Sequence, residues 1–490
     1  MRRSGVILPI FSLPSNYGIG SLGKEAYNFV DFLVKAKQSY WQILPIGPTS
    51  YGDSPYQSFS TFAGNPYFID LDSLIDDGIL EKNDVEKYSY GMSENYIDYG
   101  TMYKNRFGIL RIAYNTAYLR YEKGIRKFRE DNKEWIEDYA LFMAIKNYFK
   151  DVAWKEWDND IKHRKPEAIK RYTNLLKDDI EFYIFLQYLF YKQWIKLKDY
   201  ANKKGIGIIG DIPIYVAEDS VDIWANPEYF LLDKKLNPIK VAGCPPDAFS
   251  STGQLWGNPV YNWETLKATN YKWWVDRIKG TLNIFDVIRI DHFRGLQDYW
   301  AVPYGDKTAI NGKWDKGPGI DLFNVIKEEL GDLNIIAEDL GYLTNDVREL
   351  LNKTGYPGMK VLQFAFDPSG QSEYLPHNYC KNSVVYTGTH DNDTIKGWFN
   401  SLREDEKDFC KRYTGVKGEN DNWILIKSII SSSSNLTIMQ MQDLLNKGSE
   451  ARINIPSTIG KNWRWRMSKS DMRSDISLRL AELTQTYGRY

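Results

Sequence analysis

Cysteine is scarce: the chain has three, Cys244, Cys380 and Cys410, an odd number scattered over 490 residues. With no paired spacing they build neither a disulfide framework nor a zinc site, which points to a reducing cytoplasm. Excess charge is lacking too, since 63 basic residues face 64 acidic ones and leave a formal net charge of -1. No broad field gathers nucleic acid or an anionic membrane, so neither is an expected partner and the expected substrate is neutral. No apolar run approaches the roughly 18 residues needed to cross a bilayer. The opening Met1-Arg-Arg-Ser-Gly-Val-Ile-Leu-Pro-Ile-Phe11 imitates the basic start of a secretion signal, but its apolar stretch is short, broken by Pro9 and without a small-residue cleavage site. It reads as a buried first strand. Repeats, low-complexity tracts and flexible linkers are also missing, so a single catalytic unit over residues 1–490 is expected.

Aromatic side chains are the one excess, with 16 Trp, 35 Tyr and 22 Phe making up 15% of residues. Such rings fill cores, and they also line clefts that hold the apolar faces of sugar rings, so the excess alone does not separate the two. Short apolar runs alternate with amphipathic segments, the pattern of a parallel sheet joined by crossover helices. Strands are expected at Tyr40 to Pro45, Gly207 to Ile214, Phe285 to Asp291, Ile335 to Glu338, Met359 to Phe364 and Val384 to Thr389. Glu25 to Ala36 carries Tyr27, Phe29, Phe32 and Leu33 at helical spacing. A doubly wound sheet fits the same alternation but gathers its site at one switch point. Chain length and the spread of acidic strand ends favour an α/β fold of the (β/α)8 TIM-barrel type. From about Tyr103 to Lys204 the strand signal vanishes, so residues 80–204 are expected to form a largely helical insertion. A second, loop-rich insertion over 218–262 contains Gly243-Cys-Pro-Pro-Asp-Ala-Phe-Ser-Ser-Thr-Gly-Gln-Leu-Trp-Gly-Asn-Pro259, an irregular loop long enough to be an active-site lid.

Three carboxylates each close an apolar run: Asp291 in Phe285-Asp-Val-Ile-Arg-Ile-Asp291, Glu338 in Asn334-Ile-Ile-Ala-Glu338, and Asp391 in Val384-Val-Tyr-Thr-Gly-Thr-His-Asp391. Barrel sites are assembled from strand ends on the C-terminal face, so acids recurring there are catalytic candidates. Three acids without an obvious metal-ligand set suggest sugar chemistry. Arg289 and Asp291 lie two apart on a strand and share a face, where the guanidinium favours the charged form a nucleophile needs. By itself the pair also fits a rim salt bridge. Glu338 has no cation within several positions, so burial would keep it protonated near neutral pH, as a general acid must be. Strand alternation lets only one of Glu338 and Asp339 face a cleft, and the residues alone leave that choice open. Asp391 is placed to hold sugar hydroxyls at the point of cleavage. His292 either bonds a sugar hydroxyl or caps its turn. A metal reading of His390, Asp391 and Asp393 lacks a complementary cluster elsewhere in the chain.

The segments Phe285-Asp-Val-Ile-Arg-Ile-Asp-His-Phe-Arg-Gly295, Ile336-Ala-Glu-Asp-Leu-Gly341 and Gly388-Thr-His-Asp-Asn-Asp-Thr394 closely resemble motifs of the 4-α-glucanotransferases, the amylomaltases or disproportionating enzymes related to the α-amylases. Further matches are Ser12-Leu-Pro-Ser-Asn-Tyr-Gly-Ile-Gly20, Tyr51-Gly-Asp-Ser-Pro-Tyr-Gln-Ser58, Gly210-Asp-Ile-Pro-Ile-Tyr-Val216, the Cys-Pro-Pro-Asp loop, Arg452-Ile-Asn-Ile-Pro456 and Asn462-Trp-Arg-Trp-Arg466. The resemblance implies a distorted (β/α)8 barrel with inserted subdomains. It also implies retaining transfer of an α-1,4-glucan segment from a donor malto-oligosaccharide to the 4-hydroxyl of an acceptor glucan or glucose. By that analogy Asp291 is the nucleophile, Glu338 rather than Asp339 the acid and base, and Asp391 the transition-state stabiliser. Arg289, His292 and His390 would line the same subsite, with Tyr56, Asp211, Asp247, Phe249, Trp256 and Asn462 as substrate contacts.

Expected partners are therefore malto-oligosaccharides, maltodextrin and glucans derived from starch or glycogen, and neither cofactor nor metal is called for. The lid, with Phe249 and Trp256, suits the exclusion of water from an intermediate. Ala248 stands where some family members carry an aromatic, which thins the stacking surface there and bears on acceptor length. Two other readings compete. An α-amylase-like hydrolase would use the same acids and pass the sugar to water. A non-catalytic glucan-binding protein would be expected to have lost Asp291 or Glu338, and both are present.

Overall fold

The computed structural model describes residues 2–247, 250–341 and 343–490. Eight strands form one parallel sheet: β1 (Arg3–Ile7), β2 (Tyr40–Gln42), β3 (Gly207–Pro213), β4 (Val287–Asp291), β5 (Ile335–Ala337), β6 (Gly358–Val361), β7 (Ser383–Tyr386) and β8 (Leu436–Gln440). Each pairs with its neighbour in chain order as far as β5, β6 continues through β7 to β8, and β8 returns to β1. Between β5 and β6 the circuit is completed by the Ala337 amide, which donates to Pro357 O at 3.0 Å, and by the Met359 amide, which donates to Asp339 Oδ1 at 2.6 Å. The architecture is a (β/α)8 barrel. Its strands are buried along nearly their whole length, as parallel strands covered by helices must be.

The basic opening of the chain is strand β1, with four of its five residues buried. Helix α1 (Lys24–Lys35) buries Phe29, Val30, Phe32 and Leu33 over the barrel. All six expected later strands are present; the one ending at Asp291 begins two residues later than expected, and the other five end one to three residues earlier. Strand β8 was not expected. Its Leu-Thr-Ile-Met-Gln follows the run Ser431–Ser434, and Thr437 and Gln440 are polar yet buried in the barrel, so the apolar signal is diluted.

Residues between β2 and β3 are dominated by helices, the longest Tyr99–Asp131 and Lys177–Lys203. At 1.5 Å per residue the first extends about 50 Å, and the Asp98 carboxylate starts it by accepting from the Thr101 amide at 3.1 Å. The second buries Phe182, Ile184, Phe185, Leu189 and Trp194 and leads back into β3. Where an irregular loop is expected after β3, Lys240–Cys244 and Gln254–Pro259 are instead antiparallel strands of a four-stranded sheet with Asp298–Pro303 and Lys313–Lys316. Two features hide these strands from a reading of the residues. Their register shifts between Val241 and Gly243. The turn between them also needs Gly253 at φ 68°, where a Cβ would meet Cys244 O at 2.4 Å.

Candidate active site

The strand register assembles the charged centre. Asp211 of β3 is the direct partner of Arg289 on β4, so the two side chains stand side by side on one face. Arg289 Nη1 donates to Asp211 Oδ1 and Oδ2 at 2.8 and 2.6 Å and to Asp291 Oδ1, two residues along its own strand, at 2.9 Å. Ile288 and Ile290, on the alternate positions, are fully buried. Burial works against the Arg289 charge, but the two carboxylates hold its pKa well above the usual range. Burial pushes the Asp211 carboxyl up, and the Arg289 charge pulls against it.

Glu338 follows β5 beside the end of β4, where its amide donates to Ile290 O at 3.0 Å. Its Oε2 accepts from the His292 amide at 2.7 Å and its Oε1 from the Leu340 amide at 2.9 Å. Even so, burial, reinforced by the charge of Asp291, pushes this carboxyl up to about 8. A group so placed is a proton donor at neutral pH. Asp339 points away from it and accepts from the Met359 amide, so of the two neighbours Glu338 is the one beside Arg289 and Asp291. His292 takes a left-handed backbone conformation, φ 51°, that turns its amide toward Glu338, and its side chain makes no capping bond. Burial pushes the imidazole down to about 4, leaving it neutral, and the edge of one ring meets the face of the other where it packs against Trp256, with 4.7 Å between centroids.

Asp391 lies in the loop after β7, its side chain 44% exposed. Asn454 Nδ2 donates to its Oδ1 at 2.6 Å, Arg452 Nη2 to its main-chain oxygen at 2.6 Å, and His390 Nε2 lies 3.3 Å from Oδ1. Tyr56, from the loop after β2, bonds Asp211 Oδ2 through its hydroxyl at 2.9 Å and lies 3.3 Å from His390 Nδ1. Its ring stacks on that of His390 at 4.9 Å and leans on Trp463 at 5.8 Å. One continuous network thus runs from Asp391 through His390, Tyr56, Asp211 and Arg289 to Asp291. Arg452 and Asn454 were visible in a motif, but no pattern in the residues tied them to Asp391.

The remaining candidates sit further out. Trp256 is half-buried beside His292, its Nε1 donating to Gln254 Oε1 at 3.2 Å. Asp247 is exposed at the tip of the hairpin and accepts from the Ser250 amide at 2.7 Å. Phe249 and its neighbour Ala248 lie outside the described residues. Asn462 uses its side-chain amide on Ile455 and Thr458, holding the turn that precedes Trp463. Among the described residues no group of three or more His, Cys, Asp or Glu is arranged for a metal ion, and no helix is long and apolar enough to cross a membrane.

Comparison with known proteins places the chain among relatives matched over nearly its whole length. The pattern of the 4-alpha-glucanotransferase family matches residues 8–472. A 4-alpha-glucanotransferase of Clostridium butyricum is 54% identical over 483 residues, covering 98% of this chain and 99% of its own. One from Streptococcus pneumoniae is 50% identical over 492 residues, covering 100% and 97%. Among solved structures, the amylomaltase from Streptococcus agalactiae in complex with acarbose superposes with a TM-score of 0.98 at 45% identity, with both chains covered completely.

Proposed function

The chain belongs to the 4-alpha-glucanotransferase family, and from that membership we propose that it transfers a segment of an α-1,4-glucan from a donor malto-oligosaccharide to the 4-hydroxyl of an acceptor glucan or glucose. The observation that carries the mechanism is the placement of two neighbouring carboxyls, Asp291 bonded to Arg289 and Glu338 buried beside Asp291, where burial pushes its carboxyl up. Such a pair of environments separates a nucleophile from an acid.

Asp291 attacks the anomeric carbon while the bond to the leaving glucan breaks, and Glu338 gives its proton to the departing oxygen. The product is a glycosyl ester on Asp291 and a Glu338 carboxylate. The 4-hydroxyl of the acceptor then attacks the same carbon, its proton passes to Glu338, and the Asp291 carboxylate is released. Asp391 holds hydroxyls of the reacting sugar as it flattens toward an oxocarbenium ion. Tyr56, His292 and His390 surround that sugar, and Trp256 closes the acceptor side against water. Donors and acceptors are malto-oligosaccharides, maltodextrin and starch- or glycogen-derived glucans. The free cysteines Cys244, Cys380 and Cys410 support a reducing, cytoplasmic setting.

The purified protein incubated with maltotriose tests this reading. A ladder of longer malto-oligosaccharides plus glucose at constant reducing ends is expected. Rising reducing ends without longer products would replace transfer by hydrolysis.

A further inference from the structure

We propose that Asp443, a residue with no place on the sugar-facing surface, positions Asp391 by fixing both ends of the segment that carries it; this rests on the reading of Asp391 just given. The segment leaves β7 at Thr387, carries His390 and Asp391, and rejoins the fold at Ile395, where the helix Ile395–Ser401 begins. One carboxylate holds both ends. Asp443 Oδ2 accepts from the Thr387 hydroxyl at 2.6 Å, and its Oδ1 accepts from the Ile395 amide at 2.7 Å.

Asp443 sits in the turn Met441–Leu444 after β8 and is 1% exposed. Its own main-chain oxygen accepts from Asn422 Nδ2 at 2.6 Å, and the Thr387 hydroxyl accepts from the Gln440 amide at 3.2 Å, which ties the clamp to the barrel wall. Within the segment, Gln363 and Gln440 donate their side-chain amides to Asp393 O at 2.7 and 3.2 Å. Those amides lie so near Gly388 that a Cβ there would come within 2.5 and 2.6 Å of them. Asp391 is part-exposed, and beside its bonds to Asn454 and Arg452 its placement depends on where the anchored backbone puts it.

Burial pushes the Asp443 carboxyl up to about 7, with its two hydrogen bonds lowering it and the charge of Asp393 adding to the rise. Burial of that kind works against stability. What it provides is two acceptor oxygens on one rigid group, where an amide offers one.

The test follows maltotriose disproportionation by Asp443→Asn, Thr387→Val, Asp391→Asn and the double variant Asp443→Asn/Asp391→Asn. Displacing a group that acts in the transition state lowers kcat by about 10- to 100-fold and leaves KM within about twofold. That is the result expected for Asp443→Asn, with a smaller fall of the same kind for Thr387→Val. In the Asp391→Asn background the Asp443 substitution should cost nothing further, because the two act through one group. Unchanged kcat in folded Asp443→Asn enzyme, or a loss that multiplies independently with that of Asp391→Asn, overturns the proposal. Should Asp443→Asn not fold, Thr387→Val decides by the same criteria. Full turnover by Asp391→Asn would overturn the reading of Asp391 instead.

Discussion

Arg289 and Asp211 face each other across adjacent barrel strands, and one guanidinium nitrogen reaches both oxygens of the carboxylate at 2.8 and 2.6 Å. The same nitrogen bonds Asp291, so a single buried cation, its side chain 4% exposed, serves two acids. Removing one partner of a buried ion pair leaves an uncompensated charge, which costs about 3–5 kcal/mol. Arg289→Ala should therefore lower stability by an amount in that range, seen as a shift in the urea midpoint, and abolish transfer. A shift worth less than about 1 kcal/mol, the usual value of an exposed pair, would mean that the cluster is solvated in solution.

The proposed roles of Asp291 and Glu338 separate on substrates that differ in leaving group. Asp291→Asn keeps the size of the side chain and removes its nucleophilicity, so turnover should fall on the order of 10⁴-fold or more on every donor. Glu338→Gln should fail equally on maltotriose yet release a burst of fluoride, about one equivalent per enzyme, from a donor such as α-maltosyl fluoride, whose leaving group departs without a proton; the second step still lacks its base. Absence of that burst, as expected for Asp291→Asn, would remove Glu338 from the role of acid.

If Glu338 is the acid, its raised carboxyl should set the alkaline limb of the pH profile. An acid acts only while protonated, and Glu338 is protonated below about 8. Activity should hold on the acidic side and decline as pH rises through that value, approaching about tenfold per unit. Initial rates of kcat/KM between pH 6 and 10 measure it. A rate that already falls about tenfold per unit at pH 6, with no plateau before 8, would mean that Glu338 ionises as an ordinary solvated glutamate does.

How much of this was legible beforehand depended on what the signal was made of. Strands β3 to β7 announce themselves because barrel strands covered by helices are continuous apolar runs, and Asp291, Glu338 and Asp391 stand out as charges where such runs stop. Arg289 is read from strand alternation with Asp291, but its stronger bond is to Asp211, and only the β3–β4 register reveals that pairing. Strand β8 and the hairpin of Lys240–Cys244 and Gln254–Pro259 escape notice because Thr437, Gln440, the Pro245–Pro246 pair and Gly253 interrupt their patterns. The choice between Glu338 and Asp339 was settled by the amide of Met359, more than fifteen residues away, which no local pattern encodes. Asp443 carries no motif at all: its partners, Thr387 just after β7 and Ile395 at the start of a helix, are distant in the chain.

The proposed mechanism has the covalent intermediate meet a sugar or water on the acceptor side, to which it assigns Trp256, whose ring packs against His292 at 4.7 Å. If an acceptor glucose stacks there, it is held in place of water. Aromatic contacts of this kind are worth about 0.5–1.5 kcal/mol, and 1.4 kcal/mol is about tenfold in partition. Trp256→Ala should therefore raise the share of intermediates that hydrolyse by a few-fold to about tenfold, while cleavage of the donor, carried by Asp291 and Glu338, changes much less. The two quantities are read from one maltotriose reaction, total reducing ends reporting hydrolysis and glucose release reporting cleavage. A variant that loses both in proportion would place Trp256 in support of His292 and Glu338, and the ring would then have no separate part in selecting the acceptor.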